Sequence, residues 1–553
     1  MKTTTMRTAI ALFGAASLAA TMVMSTSAAS PRFYADDPVW HDRDTEDAST
    51  MQPLDVDLLV DLTTNLLNRN AGASVRAQNL NTIDEVPDSG WFTNRVGSRP
   101  LTADEVFRGP DTTAGPEPGT WTVTSAKSDG VTPGFTITDA SNQVWFLKFD
   151  PPGFRGMATG TEVTVTKLLW ALGYHVPENH IAYMRREQLV VGDRATFTPL
   201  GGKRRAMRSD DIETLLARAD REFDGGYRVV ASKALPGKPI GRVRFFDTRP
   251  DDPNDIVPHQ HRRELRGYGV FAAWLNHVDA KAINSLDTLI TENGRSFVRH
   301  HLLDFGSALG SGALRPAEYW AGAEYLLEPS TVARQILSFG FAYPKWHTAP
   351  FYEAPSIGRL PENNVHFDPE AWKPRVPNQA FLHARGDDKF WAASKLIDLT
   401  TEQIRAAVRA GDFRDPASEA FLVRALTERR DAIARAYLTA VNPIVDPVLE
   451  ENGVLEFRNA AVDADFAKAP RGYRAEWFRF DNATAQSTSI GVSTGRTTEL
   501  VAPVALPRTE GAFLRVQLSS VDGFKPSWDK PLDVFFRYQY GQWQLVGLER
   551  MPS

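Results

Sequence analysis

Leucines at 58, 62 and 66 repeat at helical spacing, so LDVDLLVDLTTNLLNR (54–69) reads as an amphipathic helix after a polar, turn-rich stretch at 30–53. A Gly/Pro-punctuated segment runs on to about residue 119. Three short apolar runs follow, Trp121 to Thr124, Phe135 to Thr138 and Val144 to Phe149, separated by SAKSDGVTPG and DASNQ; they predict an antiparallel meander. In the third run, alternation places Val144, Phe146 and Lys148 on one face and Trp145, Leu147 and Phe149 on the other. The next pattern is helical, opening near Thr159 and closing at Gly173, with Val165, Leu168, Leu169 and Leu172 on its apolar face. YRVVAS (227–232) reads as a strand, and Leu265, Tyr268, Ala272 and Leu275 form the inner face of a helix at about 261–276.

Helical patterns return at 388–411 and 415–440, the second with Arg/Glu pairs on its outer face. Beyond VNPIVDPVLE the period drops to two: Tyr473/Ala475/Trp477, Ala512/Leu514/Val516/Leu518, and Leu532/Val534/Phe536/Tyr538 turning at Gly541 into Trp543/Leu545. This density of short alternating runs predicts a separate β-sandwich of about 100 residues.

At 553 residues the chain exceeds one core. With 42% hydrophobic and 24% charged residues it is neither wholly disordered nor a multi-span membrane protein. Lys2 and Arg7 precede an apolar run from Thr8 to Met24, and Ser27-Ala28-Ala29 forms a small-x-small site, which predicts a cleaved export signal. Loss of those two positive charges takes the formal net charge from −6 to about −8, which excludes a nucleic-acid-coating role. The expected location is secreted or periplasmic, with no transmembrane span once the leader is gone. The chain has no cysteine, so disulfides, a lipoprotein anchor and thiol catalysis are all excluded.

The chemistry concentrates in a few polar residues. An ammonium at 148, starting out among apolar side chains, needs a carboxylate or an anionic ligand nearby. Glu162 shares the helical face of Val165 and Leu169 and can supply it; alternatively, Thr159-Gly-Thr-Glu162 is a capping box in which the Glu reaches back to Thr159. Asp279 and Asn284 sit in the loop after the 261–276 helix. Asn293-Gly294 between β-rich runs is a type I′ hairpin signal. Pairing about that turn sums partner numbers to 587, which sets Asn284 opposite Leu303 and beside Asp304. One carboxylate and one amide oxygen at a shared position suit Mg²⁺ or Mn²⁺ with phosphate oxygens. Asp279 stands near as an acceptor for a hydroxyl proton, and Lys281 can neutralise charge on a transferring group.

Asp279-x-Lys281-x-x-Asn284, with His277 before it and Asp304-Phe-Gly after it, resembles the signature set of the protein kinases. Lys148 on the third strand and Glu162 on the following helix match that family in order. The resemblance covers roughly residues 119–440 by landmarks. It implies an α+β, two-lobed protein-kinase-like fold, with an antiparallel-sheet N-lobe and a mainly helical C-lobe. The expected division is a signal peptide at 1–29, an N-terminal extension at 30–118, a kinase-like domain at 119–442 and the β-sandwich at 443–553. It also implies ATP or another nucleotide triphosphate with Mg or Mn. Lys148 would contact the α- and β-phosphates and pair with Glu162, Asp279 and Lys281 would act on the acceptor and the moving group, and Asn284 and Asp304 would hold metal. The loop bearing Ser128, Gly130 and Gly134 would lie over the phosphates.

The sequence departs from the family in three places. That loop lacks G-x-G-x-x-G, Val278 replaces the Arg that answers a phosphorylated activation loop, and no Ala-Pro-Glu landmark is convincing. The chain is thus similar to atypical secreted, spore-coat or lipid-kinase-like members. Zinc at His259/His261 or at His300/His301 is disfavoured, because no third ligand is paired with the first and the second pair points to opposite faces of a strand. The expected activity is phosphotransfer, or nucleotidyl transfer by the same residues, to an unknown protein, lipid or small-molecule acceptor. The alternative is a catalytically inactive kinase-like binding or envelope adhesion protein acting through its C-terminal β domain.

Overall fold

The apolar alternations of 121–149 become three antiparallel strands because tight polar loops separate them: β1 (Trp121–Lys127), β2 (Gly134–Thr138) and β3 (Val144–Phe149). The β2–β3 turn is organised by Asp139, whose carboxylate accepts from the Ser141 and Gln143 backbone N–H groups at 2.9 Å each and from the Trp145 indole at 2.9 Å. The computed structural model describes residues 30–551 except 43, 69–74, 128–132, 200, 340, 342, 343 and 363. The export signal, Ser128 and Gly130 therefore lie outside the described residues.

Four further strands, β4 (Asn179–Met184), β5 (Leu189–Thr198), β6 (Arg205–Ala206) and β7 (Tyr227–Lys233), extend the meander to a seven-stranded sheet in the order β4-β7-β3-β2-β1-β5-β6. Only β1 and β5 pair in parallel among the described strands of this sheet. Trp145, Leu147 and Phe149 are buried, whereas Phe146, on the Lys148 face, is 46% exposed. Lys148 thus shares its face of β3 with Val144 and Phe146, as the alternation predicts, and that face is the more open of the two.

Helix α1 (Leu58–Leu67) forms as its periodicity predicts, but with the opposite face inward. Asp61 and Asn65 are buried, while Leu58 and Leu62 are exposed. Helix α2 (Ala103–Arg108) is short and opened by a Thr102/Glu105 capping box. Helix α3 (Met157–Ala171) is buried on nearly every side. Its first turn is not capped by Thr159 and Glu162. Asp150, just past β3, accepts from the N–H groups of Gly156 at 2.8 Å and of Ala158 and Thr159 at 3.0 Å, which frees Glu162 from that duty.

Helix α4 (Ser209–Leu216) backs the sheet, strand β8 (Lys238–Gly241) leaves it, and α5 (Arg263–Leu275) runs into the loop of interest. The hairpin of β9 (Ser285–Glu292) and β10 (Arg295–Leu302) has the expected register, Arg295 opposite Glu292 through to Leu302 opposite Ser285. Its turn residues Asn293 and Gly294 both have positive φ, 52° and 78°, as a type I′ turn requires. Beyond it come α6 (Pro329–Leu337), the two-stranded β11 (Phe351–Ala354) and β12 (Gly358–Pro361), and four helices, α7 (Gln379–Leu382), α8 (Gly386–Ile397), α9 (Thr401–Ala410) and α10 (Pro416–Tyr437). The single pattern expected over 388–411 is two helices because Thr400 caps a new one, its hydroxyl accepting from the Gln403 N–H at 3.2 Å. One apolar cluster joins Leu168 and Leu169 of α3, Trp274 of α5, Leu396 of α8, Ile404 of α9 and Leu422 of α10.

The last segment holds a three-stranded sheet of β13 (Ile444–Leu449), β14 (Val454–Asn459) and β17 (Glu499–Val501). Beside it lies a five-stranded antiparallel sheet, β16 (Ser487–Gly495), β15 (Gly472–Phe480), β18 (Phe513–Val521), β19 (Leu532–Gln539) and β20 (Gln542–Glu549) in that order. Ile444 and Leu455 from the first share a core with Trp477, Val516 and Val534 from the second. The architecture is therefore mixed α/β, with one large sheet and several helices. No helix among the described residues is long and apolar enough to cross a membrane.

Candidate active site

Lys148 projects from β3 toward α3 and the end of β10. Its Nζ lies 3.0 Å from Asp304 Oδ1 and 3.5 Å from Glu162 Oε2. Glu162 is nearly sealed, with 3% of its side chain exposed, and Asp304 is open at 55%. The Glu162 carboxylate also accepts a backbone hydrogen bond from Phe305. A Cβ at Gly306 would come within 3.3 Å of Glu162 Oε2, so the Asp304-Phe305-Gly306 backbone passes directly under this carboxylate.

The second group sits on the loop after α5. That helix stops because Asn276 turns left-handed, with φ 48°, and its amide oxygen accepts from the Trp372 indole at 2.9 Å. The following loop is tied down by Arg375, whose N–H donates to the Val278 carbonyl at 2.8 Å. Asn284 Nδ2 donates to Asp279 twice, to the carbonyl at 2.8 Å and to Oδ2 at 2.9 Å, while Lys281 Nζ lies 2.7 Å from Asp279 Oδ1. The Leu303 N–H donates to the Asn284 carbonyl at 3.0 Å, which fastens the hairpin's exit, and with it Asp304, to this loop.

His277 lies near both groups: its ring is against Phe305 with centroids 5.7 Å apart, and Asp279 and Asp304 both act on it electrostatically. Among the described residues neither buried ring nitrogen has a partner, and burial holds the imidazole down at about 4, hence neutral. Burial disfavours the Lys148 cation, but Glu162 and Asp304 together more than offset it and hold its pKa above the ordinary lysine value. Burial pushes the Glu162 carboxyl up, partly countered by Lys148. Asp304 is held below the usual carboxylate range, chiefly by Lys148. At Asp279 burial acts upward, yet Lys281 and the Asn284 amide leave it below its ordinary value.

The structure thus brings together Lys148, Glu162 and Asp304 in one contact set and Asp279, Lys281 and Asn284 in a second, linked through the Asn284–Leu303 bond. Gly134 stands opposite Lys148 on the β2–β3 ladder, where a Cβ would crowd the Leu147 carbonyl at 3.0 Å. Asn284 Nδ2 is spent on Asp279, and an amide oxygen and a carboxylate are donor types that a hard divalent cation takes.

Of the four zinc-candidate histidines, His259 and His300 have carboxylate partners, whereas His261 Nδ1 accepts from Arg266 and His301 Nε2 meets the Thr288 hydroxyl. His259 Nε2 lies 2.7 Å from Asp255 and His300 Nδ1 lies 2.7 Å from Asp287. A further cluster of metal-ligand type brings Asp111 from a distant segment to Glu178 and His180, which are two residues apart. Lys167 and Lys233 already neutralise its two carboxylates.

No family model matches the chain, and no curated protein matches it. Among solved structures, it is similar to the Helicobacter pylori proinflammatory kinase CtkA at 12% identity and a TM-score of 0.30, over 57% of this chain and 95% of that one. It is also similar to the golgi casein kinase at 11% identity and a TM-score of 0.27, over 73% of this chain and 96% of that one. Overlaps of this size carry no weight for function.

Proposed function

We propose that the chain is an exported, two-lobed kinase-like transferase that uses a metal-bound nucleotide triphosphate, with a β-sandwich appended at its C-terminus. The observation that carries this reading is the Lys148 ammonium shared between Glu162 and Asp304, with the Asp279–Asn284 pair fastened beside it. A lysine held by a buried glutamate is fixed in direction, so it presents a point charge to phosphate oxygens rather than swinging freely.

Bound nucleotide supplies the transferable phosphoryl or nucleotidyl group. Lys148 would bind its phosphate oxygens, with Glu162 as the residue that positions Lys148. Asn284 and Asp304 would offer oxygen ligands to Mg or Mn. The Asp279 carboxylate would receive the acceptor hydroxyl's hydrogen bond and then its proton, and its depressed pKa suits orientation of the hydroxyl more than strong basicity. Lys281 would answer negative charge on the moving group. Export rests on residues 1–29, and the acceptor is a protein, lipid or small molecule bearing a nucleophile.

Incubation of the mature protein with ATP and Mn²⁺ or Mg²⁺, followed by intact-mass measurement beside Asp304→Ala, tests the proposal. Added phosphate or nucleotide mass in the unmutated protein alone supports it and tells which group moves. No added mass, with no nucleotide bound, favours the inactive binding protein.

A further inference from the structure

Away from the Lys148 site, a cavity of about 220 Å³ opens where the end of β7, the loop after α3, the outer face of β10 and the N-terminal segment meet. It has room for several waters or one tetrahedral ion. Three cations line it: Arg95, Lys233 and Arg299. Its one lining carboxylate, Glu178, is already engaged, by Lys233 at 2.9 Å and by the hydroxyl and N–H of Thr112 at 2.6 and 2.9 Å.

The two guanidiniums lack adequate counter-charge. Arg95 Nη1 donates to the Trp170 carbonyl at 2.8 Å, and Arg95 forms no ion pair among the described residues. Among the described residues Arg299 forms an ion pair with Glu292 alone, at 3.4 Å, and its Nε is buried without a partner. His301, on the same face of β10 as Arg299, is 4% exposed and lines the cavity with its Nδ1 unpartnered, while Nε2 lies 3.1 Å from the Thr288 hydroxyl. His175 is a second lining imidazole, and Arg299 and Arg95 both act on it electrostatically. Unpaired buried donors converging on a cationic hollow are costly unless an anion completes them.

We propose that this cavity binds a tetrahedral oxyanion, phosphate or sulfate, free or as the terminal group of a small metabolite, held by Arg95, Arg299 and the His301 Nδ1–H. The site is separate from the transfer chemistry and stands whether or not the chain is an enzyme. A bound oxyanion would tie the sheet, through Lys233, to the hairpin that ends at Asp304.

Isothermal titration of the mature chain with inorganic phosphate and with sulfate, against chloride at matched ionic strength, tests it. Arg299→Gln is the informative variant, because its partly exposed side chain leaves the fold intact, as melting temperature verifies. Lys148→Met controls for anions entering the nucleotide site. Saturable phosphate binding that Lys148→Met retains and Arg299→Gln weakens at least about tenfold is the expected result. The His175 and His301 imidazole NMR signals should move on phosphate addition. Absence of binding, binding unchanged in Arg299→Gln, or binding lost only in Lys148→Met each overturns the proposal.

Discussion

Replacing Lys148 by Met removes the cation that two carboxylates share, and the cost differs between them. Asp304, half in solvent, loses a screened partner worth about 1 kcal/mol or less. Glu162 is sealed, and leaving a buried carboxylate unpaired costs about 3–5 kcal/mol if it must stay ionised. It has an escape, because burial already holds its pKa above the ordinary glutamate value and removal of Lys148 raises it further. The folded variant therefore binds a proton that the unfolded chain releases above about pH 4, so its stability falls as pH rises toward the new folded pKa. The expected loss is small near pH 5 and grows to about 2–3 kcal/mol near pH 8. Thermal denaturation of wild type and Lys148→Met at both pH values reads this difference. Nucleotide affinity should fall about 100-fold, from two charge-assisted hydrogen bonds of about 1.5 kcal/mol each. A stability loss equal at pH 5 and pH 8, or wild-type nucleotide affinity, would refute the reasoning.

Asp279→Asn should slow transfer about 10²–10⁴-fold while leaving nucleotide affinity within a few-fold, measured by single-turnover mass kinetics; parallel loss of binding would show a structural role instead. Asp61 is buried in α1, mainly by desolvation at a pKa of about 6, so its charge destabilises the fold progressively as pH rises through about 4 to 6. Asp61→Asn should therefore stabilise the fold at pH 7 by on the order of 1–2 kcal/mol, read as a higher melting temperature, and give no gain at pH 4. Gly160→Ala improves helix propensity, yet its Cβ would meet the Phe413 ring at 2.8 Å and the Gly411 carbonyl at 2.9 Å, so about 1–3 kcal/mol of net destabilisation is expected in a denaturant melt.

Much of the site's frame was legible because one turn dictates it. Asn293-Gly294 fixed the hairpin register, and register alone carries Asp304 to the Asn284 loop. The choice between ion pair and capping box at Glu162 turned on a residue outside the pattern: Asp150 offers both oxygens to three N–H groups, and Glu162 is released toward Lys148. The orientation of α1 was not legible, since periodicity says which residues share a face but not which face turns inward. Here Asp61 faces the charge of Arg244, and Leu58 and Leu62 are left partly in solvent. Strands β4 and β5 carry no periodic signal: His180 is buried beside buried Asn179, and β5 mixes exposed and buried positions without a period. The polar edge strand β16, STSIGVSTG, carries almost no apolar signal.

The most direct measurement is calorimetric binding of a non-hydrolysable ATP analogue, with Mn²⁺ and with EDTA, to the mature protein and to Asp304→Asn. If Lys148, Asn284 and Asp304 form a site for a metal-bound triphosphate, the analogue binds only with the metal present, and Asp304→Asn weakens it at least about tenfold. Binding that ignores both the metal and the substitution, or no binding at all, would contradict the account.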